Sequence, residues 1–366
     1  MSIEICYKQK DGFAPFVSAV AGKRVAVLYD VNTAPYASPM CELLAGAGCT
    51  VTDVYYPDAE LLPTEDKCSV AQAAANEADY VLAVGSGTLN DMAKSVSTHA
   101  GIPCGVLATA ASMDGYCSAG AALMRDGFKV TDTVHTPSHV LIDPEVIRTA
   151  PRIMTAAGFG DIVGKYTCLA DWQLSNLING EPIHNEAFAM MKEARGNCMQ
   201  AYRGLRNNDA EAVEKLMDAL ITAGLSMALC GNSRPASGSE HHQSHYLEMD
   251  FARRGESIPM HGIKVGIGTL VSLWLYEYIR EHRVPCKNAE AVYALADSLP
   301  RWQDVRDLLV GMGCPVRFSE IGVEEQTMRD MIRYAHTVRD RYTVLTLIHD
   351  VGLCEAVMPG LMQYFY

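Results

Sequence analysis

Nowhere in this chain do two cysteines stand in CxxC spacing, although it holds 12 of them among 366 residues. That absence removes zinc ribbons and thioredoxin-like redox motifs. Cys49, Cys104, Cys168 and Cys230 fall inside apolar segments and read as buried free thiols of a cytoplasmic protein. No apolar run approaches the roughly 20 residues that a membrane-spanning helix needs, and the opening MSIEICYKQK lacks the apolar core of a secretory signal. Basic residues are few: 30 Lys and Arg stand against 43 Asp and Glu, for a formal net charge of -13. Nucleic acid or an anionic membrane wants a basic stripe, so neither is an expected partner. A small anionic substrate stays open, because a few local cations outweigh the global field. There is also no internal repeat, no low-complexity tract and no charged tail.

What is present suits a globular chain with two cores: 49% of residues are hydrophobic and 20% charged. Up to about residue 145, short apolar strands alternate with helical stretches. KRVAVLYD (23–30), VTDVYYP (51–57), DYVLAVGSG (79–87) and PCGVLAT (103–109) read as strands. MCELLAGAG (40–48), SVAQAAANEA (69–78) and LNDMAKSVSTHAG (89–101) read as the helices between them. This rhythm means a parallel sheet with helices on its faces. GFKVTDTV and SHVLID look like two further strands, and after Pro151 only helical periodicity continues. The expected organisation is an α/β nucleotide-binding domain over 1–152 and an all-α domain over 153–366. EEQTMRDMIRYAHTVRDRYTVLTLIHD, near the end, reads as amphipathic helix with a solvated charged face and is given no chemistry.

AVGSGTLND places Gly85 and Gly87 after a strand and before a helix. Glycines there let backbone approach a phosphate, and the helix start offers N–H groups and positive dipole. The dinucleotide fingerprint would want a third glycine where Asn90 stands, so a plain tight turn is an equal reading. ATAASMDGYCSAG (108–120) adds a second polar loop, with Thr109, Ser112, Asp114 and Ser118 past the next strand end, where open α/β sheets bind ligands. Asp30 or Asn32 in YDVNT would meet a ribose or adenine edge, or else form an Asx turn.

Three of the 11 histidines lie within five residues, in SGSEHHQSHYLEMD. Ser237 or Ser239 would cap the helix, and residues four apart share a face. His241 and His245 are such a pair, Glu248 continues the stripe, and His242 is left spare. GFGDIVGKYT offers Asp161 and, on the same face, Lys165; PMHGIKVGIGT offers His261. Taken singly, Asp161 reads as a helix cap and His261 as a core residue. Together Asp161, His241 and His261 suit a catalytic divalent metal with three protein ligands and an open position.

GSGTLNDMAK, TAASMDGYCS, AAGFGDIVGKYTCLADW, SRPASGSEHHQSH, MHGIKVGIGT and RDRYTVL together resemble the sn-glycerol-1-phosphate dehydrogenases, bacterial branch, of the iron-alcohol-dehydrogenase and dehydroquinate-synthase superfamily. The resemblance runs from about residue 24 to 357. It implies a dehydroquinate-synthase-like fold with its active site in the cleft between an α/β and a helical domain. It implies a metal (zinc or nickel, with iron a third option) on Asp161, His241 and His261. NAD(H) or NADP(H) would lie along Gly87, Thr88, Leu89, Asn90 and Asp91, and at Thr109, Ser112 and Ser118. Substrate contacts would fall at Asp114, Asp161 and His245. Ile263 and Ala111 depart from the pattern expected of close relatives. The implied reaction is hydride transfer between the coenzyme and dihydroxyacetone phosphate, with catalytic parts for His245, Asp114 and Lys165. Lys165 and Lys264 are the candidate phosphate cations, and a homodimer is the expected assembly. A polyol dehydrogenase, a dehydroquinate-synthase-like cyclase and a non-catalytic nucleotide-binding protein are the alternatives.

Overall fold

The computed structural model describes residues 3–8, 12–125 and 128–366. They divide into two compact units, one from the chain up to Pro151 with Asn208–Met217, the other from Arg152–Asn207 with Asp218–Tyr366. The return of Asn208–Met217 to the first unit has no signal in the sequence pattern.

The first unit is built on a six-stranded parallel sheet of β1 (Glu4–Tyr7), β2 (Arg24–Asp30), β3 (Thr50–Tyr56), β4 (Tyr80–Gly85), β5 (Cys104–Ala108) and β8 (His139–Ile142). Their order is β1-β8-β5-β4-β2-β3. β4 and β5 are buried along their whole length, which is why they read as unbroken apolar runs. β3 lies at an edge and keeps most of its side chains partly or fully exposed. After β3 the chain crosses back over β2 to β4 and then proceeds the other way, so order reverses between β2 and β4. That reversal opens a crevice at their carboxyl ends, where Asp30 and Gly85 sit.

Helices α1 (Ala14–Val20), α2 (Ala34–Gly46), α3 (Glu65–Asn76), α4 (Gly87–Ala100) and the short α5 (Pro144–Ile147) connect and flank the strands. α2 starts six residues earlier than its pattern predicts, because Pro39 reads as a breaker yet is carried inside the helix. A separate antiparallel hairpin, β6 (Gly120–Arg125) with β7 (Phe128–Thr133), takes up the first of the two further strands. β1 and β6 are not foreseen: the first is four residues long, and the second begins inside what reads as polar loop.

The second unit is helical. It contains α6 (Arg152–Val163), α7 (Lys165–Asn179), α8 (Asn185–Gln200), α9 (Tyr202–Asn207), most of α10 (Ala210–Cys230), α11 (Ser239–Arg254) and α12 (His261–Glu281). Five more helices follow between Ala289 and Phe365 among the described residues. α6 and α12 cross at backbone contact: a Cβ on Gly160 would stand 2.4 Å from Gly262 O, and one on Gly262 only 1.8 Å from Ala157 O. Each glycine adjoins a candidate ligand, Asp161 on α6 and His261 on α12. No helix among the described residues is long and apolar enough to cross a membrane.

Candidate functional site

In the α/β unit, the loop Gly85–Gly87 joins β4 to α4. A Cβ at Gly85 would lie 2.4 Å from Leu89 Cδ1, so the absence of a side chain lets α4 fold tightly back on its strand. Ser86 gives no side-chain cap to α4, whose first-turn N–H groups at Gly87, Thr88 and Leu89 are those an anion would meet. Asn90 and Asp91 face the neighbouring loop instead: Asn90 Nδ2 reaches Tyr116 O at 3.5 Å, and Asp91 Oδ2 accepts from Ala122 N at 2.9 Å.

That loop, 109–120, is held by Lys94. The buried ammonium lies 2.9 Å from Asp91 Oδ1 and donates to Gly115 O (3.0 Å), Gly120 O (2.5 Å) and Ser118 O (3.4 Å). Thr109 N donates to Gly85 O at 3.1 Å, which ties the two strand ends together. Ser118 Oγ donates within the loop to Gly115 O, Ser112 faces Tyr116, and Asp114 is 8% exposed. Asp30 Oδ1 accepts from Asn32 N and Thr33 N at 2.9 Å each, which is the Asx turn.

In the helical unit, Asp161, His241 and His261 offer ligand atoms all within 4.8 Å of one another. His241 Nε2 stands 3.7 Å from Asp161 Oδ1, and the His241 and His261 rings are 5.0 Å apart. Ligand atoms around a tetrahedral ion sit about 3.4 Å apart for bonds of roughly 2.1 Å, so a contraction of at most about 1.4 Å closes the set. The donor set of one carboxylate and two imidazoles fits a divalent ion. So does the support behind it: His241 Nδ1 donates to Glu240 Oε1 at 2.8 Å, so Nε2, which faces Asp161, is the atom that would meet an ion. Glu240 is fully buried and also accepts from Gly238 N (2.7 Å) and Thr167 Oγ1 (2.6 Å); burial raises its pKa.

The helix that carries His241, α11, is not capped by serine. Gly238 is its N-cap, and the carboxylates of Glu240 and Asp171 take the Gly238 and Ser239 N–H groups. Asp161 is likewise no cap: it sits near the C-terminal end of α6. The helical pattern after Pro151 is interrupted at Gly164, between α6 and α7, where a Cβ would meet Val265 Cγ1 at 2.7 Å.

His245 joins the cluster, its ring 5.9 Å from His261 and 6.3 Å from His241. Its Nδ1 is 3.1 Å from Glu248 Oε2, and its Nε2 is 3.1 Å from Arg339 Nη2. A guanidinium only donates, so Nε2 accepts and the proton sits on Nδ1. Burial lowers the His245 pKa, with Glu248 opposing. Glu248 also approaches His261 Nδ1 (3.4 Å) and Lys264 Nζ (3.5 Å). Both candidate phosphate lysines are fully buried rather than solvated. Lys165 donates to Asp161 Oδ1 and Ala236 O at 2.9 Å each, and Lys264 donates to Pro259 O.

The sequence reading missed Glu240, Arg339 and Arg341. It also took His242 for a spare. His242 is fully buried, and its pKa is pushed down to about 3, first by burial and then by Arg341 and Arg339.

A parallel α/β unit whose strand order reverses between β2 and β4, followed by a helical unit that brings one carboxylate and two imidazoles together, is the architecture of the iron-containing alcohol dehydrogenases. Residues 10–151 match that family, described as "Iron-containing alcohol dehydrogenase". The fold is also that of a glycerol dehydrogenase from Schizosaccharomyces pombe, with a TM-score of 0.72 over 98% of this chain and 90% of that one at 18% identity. A probable glycerol dehydrogenase from Sinorhizobium meliloti gives 0.68 over 98% of each chain, again at 18%. Among sequences, the chain is 36% identical to the glycerol-1-phosphate dehydrogenase (NAD(P)+) of Bacillus licheniformis over 95% of this chain and 87% of that one. It is 34% identical to the Halalkalibacterium halodurans enzyme of the same name over 89% and 86%. The chain belongs to the glycerol-1-phosphate dehydrogenase family.

Proposed function

We propose that this protein is a metal-dependent, NAD(P)-linked oxidoreductase that interconverts dihydroxyacetone phosphate and sn-glycerol 1-phosphate. The observation that supports it most is the convergence of Asp161, His241 and His261, backed by Glu240 and Glu248, in a chain of this family. A divalent ion on those ligands supplies a Lewis acid for the C2 carbonyl oxygen, and a nicotinamide coenzyme at the glycine loop supplies the hydride. Nitrogen and oxygen donors suit zinc, nickel and iron alike, and we favour zinc or nickel.

The chain's own groups have distinct parts. Gly85, Gly87 and the N–H groups that open α4 would bind the coenzyme diphosphate, with Thr109, Ser112 and Ser118 along the second loop and Asp30 toward the ribose. His241, fixed by Glu240, presents Nε2. His245, held between Glu248 and Arg339, would position the C2 hydroxyl or relay to the C2 oxygen a proton drawn from solvent. Asp114 would accept from a substrate hydroxyl. Lys165, on Asp161, would balance the ligand's charge. Twelve free thiols fit a reducing compartment, and we place the enzyme in the cytoplasm.

The test is oxidation of NADH or NADPH by dihydroxyacetone phosphate, before and after chelation and after return of zinc, nickel or iron, with a chiral assay of the product. Turnover that survives complete chelation, or no turnover with any metal, would sink the proposal.

A further inference from the structure

We propose that Arg339 and Arg341, with the Ser233 hydroxyl shared between them, form the seat of the substrate's phosphate group and set the preference for a phosphorylated ketone. This inference rests on the function proposed above.

Arg339 Nη1 and Arg341 Nη2 both donate to Ser233 Oγ, at 3.2 and 2.8 Å. Their other hydrogen bonds go to Ser237 O (3.3 Å, from Arg341) and His245 Nε2 (3.1 Å, from Arg339). Neither makes an ion pair within 4.0 Å among the described residues. The neighbouring Arg234 shows the contrast: Glu181 neutralises it, with Nη2–Oε2 at 3.0 Å and Nε–Oε1 at 3.1 Å. The carboxylate whose charge reaches Arg339 is Glu248, which His245, His261 and Lys264 already share. Glu181 likewise acts on Arg341 only from a distance, and two half-buried guanidiniums with no carboxylate in contact are expensive for a folded protein. The strain registers on Arg341, whose pKa falls to about 10 through burial and then through Arg339 and Arg234.

A second observation points the same way. Arg234 Nη1, Ser237 Oγ and both ring nitrogens of His242 are buried and find no hydrogen-bond partner among the described residues. Their residues are 2%, 4% and 0% exposed, and the charges acting on His242 are those of Arg341, Arg339, His245 and Arg234. The unmet donors of Arg234 and Ser237, with the single N–H of neutral His242, lie beside two cations that no carboxylate contacts; they match the acceptor oxygens of a phosphate, and paired guanidinium forks suit its geometry.

The position is also right. Arg339 contacts His245, and His245 lies against the two histidine ligands. In a three-carbon ketone phosphate with its carbonyl at the metal, the phosphorus is one methylene and one ester oxygen away. Lys165 and Lys264 suit the role less well, because each is fully buried with a carboxylate beside it.

The experiment compares R339Q, R341Q, R339K and R341K with wild type in metal-loaded holoenzyme. It reads kcat/KM for dihydroxyacetone phosphate over that for dihydroxyacetone, and the Kd of inorganic phosphate by calorimetry. We expect each glutamine variant to lower that ratio by about 10- to 100-fold, mainly through KM, and to weaken phosphate binding by a similar factor. The lysine variants keep a charge without the fork and should fall several-fold short of wild type. An unchanged ratio together with unchanged phosphate binding would overturn the assignment. Should a glutamine variant fail to fold, its lysine partner is read by the same criterion. Wild type that reduces no dihydroxyacetone phosphate defeats the proposed function instead. The seat itself is then judged by phosphate binding alone, present in wild type and weakened in the variants, or not.

Discussion

The crossing of α6 and α12 makes a sharp mutational contrast between two glycines one helical turn apart. In Gly262→Ala the new methyl would stand 1.8 Å from Ala157 O and 2.6 Å from Ala157 C. A carbon–oxygen contact settles at roughly 3.3 Å, so the helices must part by about 1.5 Å. Overpacking of this kind costs about 1–3 kcal/mol. The same displacement acts on His261, next to Gly262, and on Asp161, one helical turn beyond Ala157 on α6. Metal bonds tolerate only about 0.2 Å, so we expect at least a 10- to 100-fold loss of metal affinity. Unwinding the first turn of α12 would relieve the clash but would carry His261 away with it. Gly266→Ala differs: its methyl meets Gly160 Cα and Leu309 Cδ2 at 3.5 Å, ordinary contact. There the gain in helix propensity predicts a change between zero and about +1 kcal/mol. Urea unfolding of the metal-free proteins gives the first quantity, and competition with a chromophoric chelator gives the second. A Gly262→Ala protein with wild-type midpoint and metal affinity would refute the reasoning, as would a Gly266→Ala protein harmed equally.

Two further expectations concern buried groups. Glu240→Gln keeps the size but removes the charge behind His241, and should weaken metal binding about 10- to 100-fold; undiminished affinity in the chelator assay would deny Glu240 its orienting part. His242 titrates near 3 in the folded chain and near 6.5 when unfolded, so as pH falls the unfolded chain takes the proton first. Stability therefore drops by about 1.4 kcal/mol per pH unit below about 6.5 from this group. Asp171 opposes it: burial, then Glu240, pushes its pKa up to about 6, so the folded chain protonates first and gains stability down toward 3.8. His242→Leu removes the first contribution and keeps the second. Urea midpoints of metal-free protein between pH 7 and 5 should fall less steeply with acid than in wild type, and parallel slopes would count against the assignment.

Much of this molecule shows in local sequence pattern. The strands of the main sheet are apolar runs, Gly85 and Gly87 mark the β4–α4 turn, and the spacing of His241 and His245 places both on one helix face. What stays hidden depends on contacts from elsewhere in the chain. Glu240 directly precedes His241, and helical spacing puts adjacent residues on different faces; only the turn of the imidazole brings Nδ1 to its carboxylate. Arg339 and Arg341 stand in a strongly charged stretch that resembles solvated helix surface. Their burial comes from packing near Ser233 and His245, about a hundred residues earlier in the chain. Lys165 and Lys264 show the same limit, since a lysine beside a motif gives no hint that a carboxylate lies next to it. The serines before α11 look like caps, but carboxylates from Asp171 and Glu240 had already taken the N–H groups.

The lysine inside the second strand-end loop has a consequence for ligand exchange. Lys94 grips the carbonyls of Gly115, Ser118 and Gly120, so an internal cation, not an incoming anion, dictates the loop's path. The entropy lost in shaping that segment falls on folding, and none of it recurs at each encounter. Were the coenzyme to bind along this loop, its departure would leave behind a surface still formed for the next one.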